Sequence, residues 1–221
     1  MNKPRRIHNK GQARIFKSPA MEVLTKSSPV VIFSMYIPLI VWILYYSYTS
    51  KGFSAGQVAG AYIGGIFFWT LFEYFAHRFL FHMTPASAWG QRVAYVLHGN
   101  RHEFPRDKTR LLMPPAPSLI IAGIAFSIFF LVAGNWALMF FPGFITGYLL
   151  YGSLHYSIHA LNPPFKWMKP LWRNHHLHHY KDDHRGFGVS STLWDRVFGT
   201  MYDLKQEVED KEKVKELMYQ S

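Results

Sequence analysis

The residues with the most chemistry to offer are 12 histidines in a chain that has no cysteine. Eleven of the 12 fall between His77 and His184. Ten of these form four groups: His77 and His82 in HRFLFH, His98 and His102 in HGNRH, His155 and His159 in HYSIH, and His175, His176, His178 and His179 in HHLHH. Neutral imidazole is the commonest protein metal ligand, and so many charged rings together would repel one another, so the pattern points to metal binding. Histidines four apart share one helix face with Cβ atoms about 5–6 Å apart, which lets both rings reach one ion. His77 and His82 are five apart, about 140° around a helix of 3.6 residues per turn, and need a helix end or a bent turn; Pro85 nearby supports a break. Nine or so candidate ligands exceed the four of a tetrahedral zinc site, and two ions are the economical inference. Without thiolates the ligands are nitrogen and oxygen, and an all-imidazole set suits iron, copper or zinc. The helical zinc-hydrolase pattern is missing, since His102-Glu103 runs into Phe104-Pro105. No nucleotide-binding glycine pattern and no haem-attachment motif occurs, so electrons, if needed, come from outside.

The elements that carry these groups follow from the distribution of charge. No Asp, Glu, Lys or Arg lies between Lys26 and Lys51, between Lys51 and Glu73, or between Arg110 and Lys166. A spanning helix needs about 20 mostly apolar residues. Pro29 to Tyr48 and Ser54 to Phe75 each supply one, and Leu111 to Phe165 supplies two, with a break expected at Gly134-Asn135 or Pro142-Gly143 and helices near Ser118 to Ala133 and Gly143 to His159. These stretches lack the polar face of a soluble core helix. The expected fold is all-α, an integral membrane protein with four transmembrane helices and a cytosolic histidine-rich helical cap. The chain of 221 residues divides into a basic cytosolic arm (1–28), a membrane-embedded domain (29–203) and a charged, helical cytosolic tail (204–221). Of 24 Lys and Arg, only Lys51 falls on the far side of such a topology, which places both termini and the middle loop in the cytosol and explains the net charge of +11 without nucleic acid. Gly56, Gly60 and Gly64 recur every four residues, a ridge that lets another helix of the same chain approach closely.

The four boxes in this order resemble the fatty acid hydroxylase and sterol desaturase superfamily. The segments HRFLFH, HGNRHEFPRD and HHYKDDHRGFGVSSTLWDRVFGT, with their Gly186-Phe187-Gly188 and Trp194-Asp195, are most similar to fatty acid 2-hydroxylases that act on sphingolipid acyl chains. The similarity covers roughly residues 55 to 203. It implies a non-haem di-iron site that uses dioxygen to place one oxygen atom in a C–H bond of a lipid, with zinc able to replace the two irons in purified protein. Carried over by position, the ligands are His77, His82, His98, His102, His155, His159, His175, His178 and His179. The family's second box usually holds an adjacent histidine pair, and here the first of that pair is Arg101, which cannot ligate a metal. Either His176 or Glu103 compensates, or one ion is held loosely, or activity is lost. Glu73, Asn100, Asp107, Asp182, Asp183 and His184 are further candidates, with Arg101, Glu103 and His176, to surround and orient the ligand rings. Relatives with an electron-donor domain carry it before the first span. The 28 residues here leave no room for one, which implies a separate electron donor and reductase, and the basic cytosolic face suits an acidic donor.

Two readings compete with acyl hydroxylation. A sterol or carotenoid hydroxylase or desaturase would use the same boxes. A histidine-based metal transporter or sensor would place ligands near the bilayer midplane, whereas these groups sit at one boundary.

Overall fold

The computed structural model describes residues 7–203 together with Glu212 and Lys215. The first six residues of the arm and, those two positions apart, the tail expected to be helical over 204–221 lie outside the described residues. The described chain is helical without strands. After a short α1 (Pro19–Val23), α2 (Pro29–Ser50) begins with proline at its first position, where the missing N–H costs nothing. A tight turn with Gly52 at φ 70° leads to α3 (Ala55–Phe75). Ser54 caps this helix by accepting from Gln57 N, while the Gln57 side chain accepts from Ser54 N. Helix α3 continues without a break into a π-helical turn, Ala76–Phe81. The middle segment holds α4 (Ala88–Ala94), a second π turn (Tyr95–Gly99) and α5 (Asn100–Glu103). Then come α6 (Pro115–Ala133), α7 (Ala137–Ala160), α8 (Lys169–Tyr180) and α9 (Leu193–Val197).

Among the described residues three helical stretches are long and apolar enough to cross a membrane: Pro29–Ser50, Ala55–Phe81 and the 46 residues Pro115–Ala160. The third is bent by Gly134, at φ 56°, into α6 and α7, which lie antiparallel: Phe126 meets Phe141 at 5.2 Å and Phe129 meets Phe140 at 5.2 Å between ring centroids. Their outer faces are uncovered by protein, with Leu131 and Val132 85% and 83% exposed. Side chains of that kind belong in lipid.

Of the two expected breaks, only Gly134 is one. Pro142 lies inside α7, which begins at Ala137 rather than near Gly143. A proline there cannot bond the carbonyl four residues back, and that carbonyl, Leu138 O, shares the Ser47 hydroxyl proton of α2, at 3.2 Å, with Ile43 O at 2.7 Å. The helix continues through the proline with a shared bond at that carbonyl.

The glycine ridge of α3 is likewise corrected. A methyl group at Gly56 or Gly60 would meet nothing within 4 Å. The close approach of α3 and α7 is made one register over and from the other side. A Cβ on Gly65 would stand 2.1 Å from Phe140 O, on Gly143 1.9 Å from Tyr62 O, and on Gly147 2.3 Å from Trp69 Cβ. Around these contacts Trp69, Phe72 and Phe144 interlock, with Trp69 4.9 Å and Phe72 5.2 Å from Phe144. Gly143→Ala is therefore expected to destabilise the protein by about 1–3 kcal/mol through overpacking. Gly60→Ala should leave stability unchanged or raise it by up to about 1 kcal/mol. Thermal unfolding of the two variants in detergent, followed side by side, checks the difference.

Candidate metal centre

Each histidine group rides on an element whose pitch aims its rings. In the π turn Ala76–Phe81 the backbone bonds run from residue i to i+5, so each turn holds more residues than an α-turn and positions five apart swing toward one side. This is the bent turn that His77 and His82 need. The second π turn carries His98, and α5 carries His102 on the next turn. His155 and His159 occupy the last two turns of α7, and α8 presents His175, His178 and His179.

The rings meet in two groups. His77, His82, His98, His102 and His178 place one nitrogen each within 4.8 Å of one another, and His155, His159, His175 and His179 do the same. Within the first group Nε2 atoms lie 3.1 Å apart for His77 and His98, 3.0 Å for His98 and His102, and 2.9 Å for His82 and His178. In the second the spacings are 3.2 Å for His155 and His159, 3.0 Å for His159 and His175, and 3.0 Å for His175 and His179. Donor nitrogens about 2.0–2.1 Å from a shared ion stand roughly 2.9–3.4 Å apart, so the spacing is that of a ligand cage. The groups abut, since His102 stacks on His179 at 4.2 Å.

Ring orientation shows which nitrogen is offered. A carbonyl only accepts, so His77 Nδ1 donates to Phe187 O at 2.6 Å, His178 Nδ1 to Arg185 O at 2.7 Å and His155 Nδ1 to Leu111 O at 3.2 Å. Each bond fixes the proton on Nδ1 and turns the Nε2 lone pair inward. Burial pushes the pKa of His98, His175 and His179 well below the usual imidazole range, and neighbouring rings push the same way, so these rings are neutral and ligand-competent. The Nδ1 atoms of the same three rings are buried with no hydrogen-bond partner among the described residues and point away from the centre, so Nε2 is the nitrogen each ring presents to its neighbours. A cation among the inward Nε2 atoms removes the repulsion of their crowded lone pairs. The residues fit metal ions.

The orienting carbonyls are themselves held. Asp195 Oδ1 accepts Phe187 N at 2.9 Å, and Oδ2 accepts Gly188 N at 2.8 Å and Asn174 Nδ2 at 3.1 Å. Burial pushes its carboxyl up while these donors and Thr200 oppose the shift. Gly188 passes so close that a Cβ would stand 2.0 Å from Ser191 O. Glu73 holds the next residues, accepting Val189 N at 2.7 Å, Ser190 N at 2.9 Å and the Ser190 hydroxyl. On the other side Arg110 donates to Asp107 at 2.8 Å and to Glu22, and so pins the carbonyls of Arg110 and Leu111. Glu22 also accepts Ile15 N and Phe16 N at 3.0 and 2.8 Å, so the N-terminal arm is part of the brace.

Other sequence candidates stand elsewhere. Asn100 Nδ2 donates to Tyr95 O and Val96 O and steadies the second π turn, and Glu103 accepts the Tyr95 hydroxyl at 2.7 Å. His176 faces Ile158 O at 3.2 Å, so neither it nor Glu103 joins either imidazole group. Asp183 lies 3.7 Å from His82 Nδ1, whereas Asp182 accepts His184 N and the His184 ring is exposed. The buried Arg101 donates from Nε to Arg110 O at 2.7 Å and from Nη1 to Leu97 O at 2.9 Å. It lines a cavity of about 120 Å³ shared with Glu73, His77, Trp69, Tyr148 and Tyr151 and otherwise walled mostly by apolar side chains of α3, α6 and α7. Spacing does not mark Glu22, Arg110 or Asp195: Glu22 and Arg110 meet across 88 residues, and Asp195 acts on backbone N–H groups that residue types do not reveal, the Trp194-Asp195 match to a family signature being the one hint.

The fatty acid hydroxylase family model matches residues 62–200. The chain is 35% identical over 196 residues to the dihydroceramide fatty acyl 2-hydroxylase FAH1 of Arabidopsis thaliana, covering 88% of this chain and 82% of that protein. It is 36% identical to the ceramide very long chain fatty acid hydroxylase SCS7 of Saccharomyces cerevisiae, over 88% of this chain and 51% of that one. To human fatty acid 2-hydroxylase the identity is 30%, over 85% and 56% of the two chains. A solved structure of full-length scs7p, in which only the hydroxylase domain is visible, superposes with a TM-score of 0.81 at 35% identity, covering 88% of this chain and 74% of that chain.

Because Asp195 acts on a ring only through Phe187 O, Asp195→Ala should lower metal affinity roughly 10- to 100-fold while removing no imidazole. Competition with a calibrated chelator measures it, and unchanged affinity would show that the loop holds His77 without that carboxylate.

Proposed function

The chain belongs to the fatty acid hydroxylase family, and on that premise we propose that it is a membrane lipid hydroxylase that puts one oxygen atom of dioxygen at C2 of a fatty acyl chain, using two iron ions. The observation that carries this reading is the pair of abutting imidazole groups set beside the inner wall of an apolar cavity, with His77 common to both features. His77, His82, His98, His102 and His178 would hold one ion, and His155, His159, His175 and His179 the other. Each group has four or more rings, so Arg101 leaves neither ion short of nitrogen ligands. Bound iron supplies the dioxygen chemistry that an aliphatic C–H bond, with no acid or base handle, requires.

The protein's own residues do the rest. The carbonyls of Phe187, Arg185 and Leu111 keep three rings aimed inward; Asp195 and Glu73 hold the loop that carries Phe187, the Tyr202 hydroxyl donates to Arg185 O, and Arg110 braces Leu111. The cavity takes the acyl chain and keeps water from the reacting carbon. Leu80 and Ile121 line it and are 48% and 44% exposed on the uncovered helix surface, which supports entry of the lipid sideways from the bilayer.

The protein is a membrane protein, and we propose that its three apolar stretches make four crossings, with α6 and α7 crossing separately. The arm of residues 1–28, the histidine cap and the tail from residue 204 then face the cytosol, and the placement of Lys and Arg supports this. A separate acidic donor protein with its reductase would deliver electrons to that basic face.

Expression in cells that lack 2-hydroxylated lipids, followed by lipid profiling, tests the reading. A 2-hydroxy acyl product is expected from the native chain and is expected to vanish with His159→Ala. Unchanged lipids with the native protein present in the membrane would overturn it.

A further inference from the structure

We propose that Arg101 is the binding residue for the anionic head of the substrate, so that this protein takes an acyl chain ending in a free carboxylate rather than one already joined in an amide. The inference rests on the hydroxylase reading of the same site. Arg101 is 8% exposed and forms no ion pair with the described residues. Two of its nitrogens are spent on the carbonyls of Arg110 and Leu97, while Nη2 has no hydrogen bond to the described residues. The side chain lines the apolar cavity together with His77, Tyr148 and Tyr151. Among the described residues the one carboxylate on the same wall, Glu73, accepts Val189 N, Ser190 N and the Ser190 hydroxyl and makes no ion pair with Arg101.

A buried cation without an anion is costly, and a ligand that brings the anion recovers that cost on binding. An acyl carboxylate has the matching chemistry: an apolar chain for the cavity, and an oxygen pair for a guanidinium, which is always charged and only donates. An amide offers a single neutral oxygen and turns an N–H donor toward a group that has donors alone. With the carboxylate on Arg101, the first carbon beyond it is C2, and Arg101 shares its cavity with His77. This agrees with oxidation at that carbon.

Binding can be read without turnover, because Trp69 lines the cavity. Purified protein in zwitterionic nanodiscs at alkaline pH is titrated with a brominated fatty acid and with its primary amide, and quenching of tryptophan fluorescence gives both affinities. The acid is expected to bind at least about tenfold tighter than the amide, the worth of a hydrogen bond to a charged group. R101Q should abolish that preference while holding amide affinity within about twofold, and R101K should retain part of it. Equal binding of acid and amide by the native protein, or an unaltered preference in R101Q, overturns the proposal. Acid preference in a protein that makes no hydroxylated lipid would instead retain the receptor and discard the hydroxylase.

Discussion

Neutral imidazoles have to be held with their lone pairs pointing at one another, and that arrangement is unfavourable unless something else forces it. Here a backbone carbonyl takes the Nδ1 proton of His77, His155 and His178, which leaves Nε2 facing inward. Burial keeps the inner rings outside the spans unprotonated. Much of the remaining architecture serves to keep two of those carbonyls, Phe187 O and Leu111 O, still, while the Tyr202 hydroxyl donates to the third, Arg185 O. Asp195 and Glu73 close the loop that carries Phe187, and Glu22 and Asp107 lock Arg110 beside Leu111. The N-terminal arm, far in sequence from every histidine box, is recruited into the same brace.

Membrane helices make that precision possible by close packing where glycine allows it. Gly65, Gly143 and Gly147 bring α3 and α7 to backbone contact, which fixes His77 at the end of one helix relative to His155 at the end of the other. The same pair of helices, with α6, leaves the cavity that ends at His77 and Arg101. Helix packing, the imidazole groups and the cavity therefore share residues: Trp69 packs on Gly147 and lines the cavity, and His77 belongs to both the cavity and an imidazole group.

How much of this could be read from the residues depends on the range of the interaction. Histidines four apart reveal a shared helix face, and uncharged runs reveal bilayer-length helices, because both are local regularities. The pair His77 and His82 signals only that an α-helix will not serve; that the answer is a π turn depends on backbone bonding that side-chain types do not encode. The ridge of Gly56, Gly60 and Gly64 is a true periodicity but not the contact, since a period shows which small residues align and not which of them a partner reaches. Pro142 reads as a helix break because residue types do not show that Ser47 of another helix comes within reach of the freed carbonyl. Glu22 is hidden as a support for the same reason, its partner Arg110 lying 88 residues away, and Asp195 shows only through the Trp194-Asp195 signature.

The central claim, two ions caged side by side by imidazole nitrogens, is tested most directly by X-ray absorption and metal counting on protein grown with iron. The account predicts two irons per chain, each with a nitrogen-rich first shell at about 2.0–2.2 Å. A single iron per chain, or a first shell of oxygen alone, would contradict it.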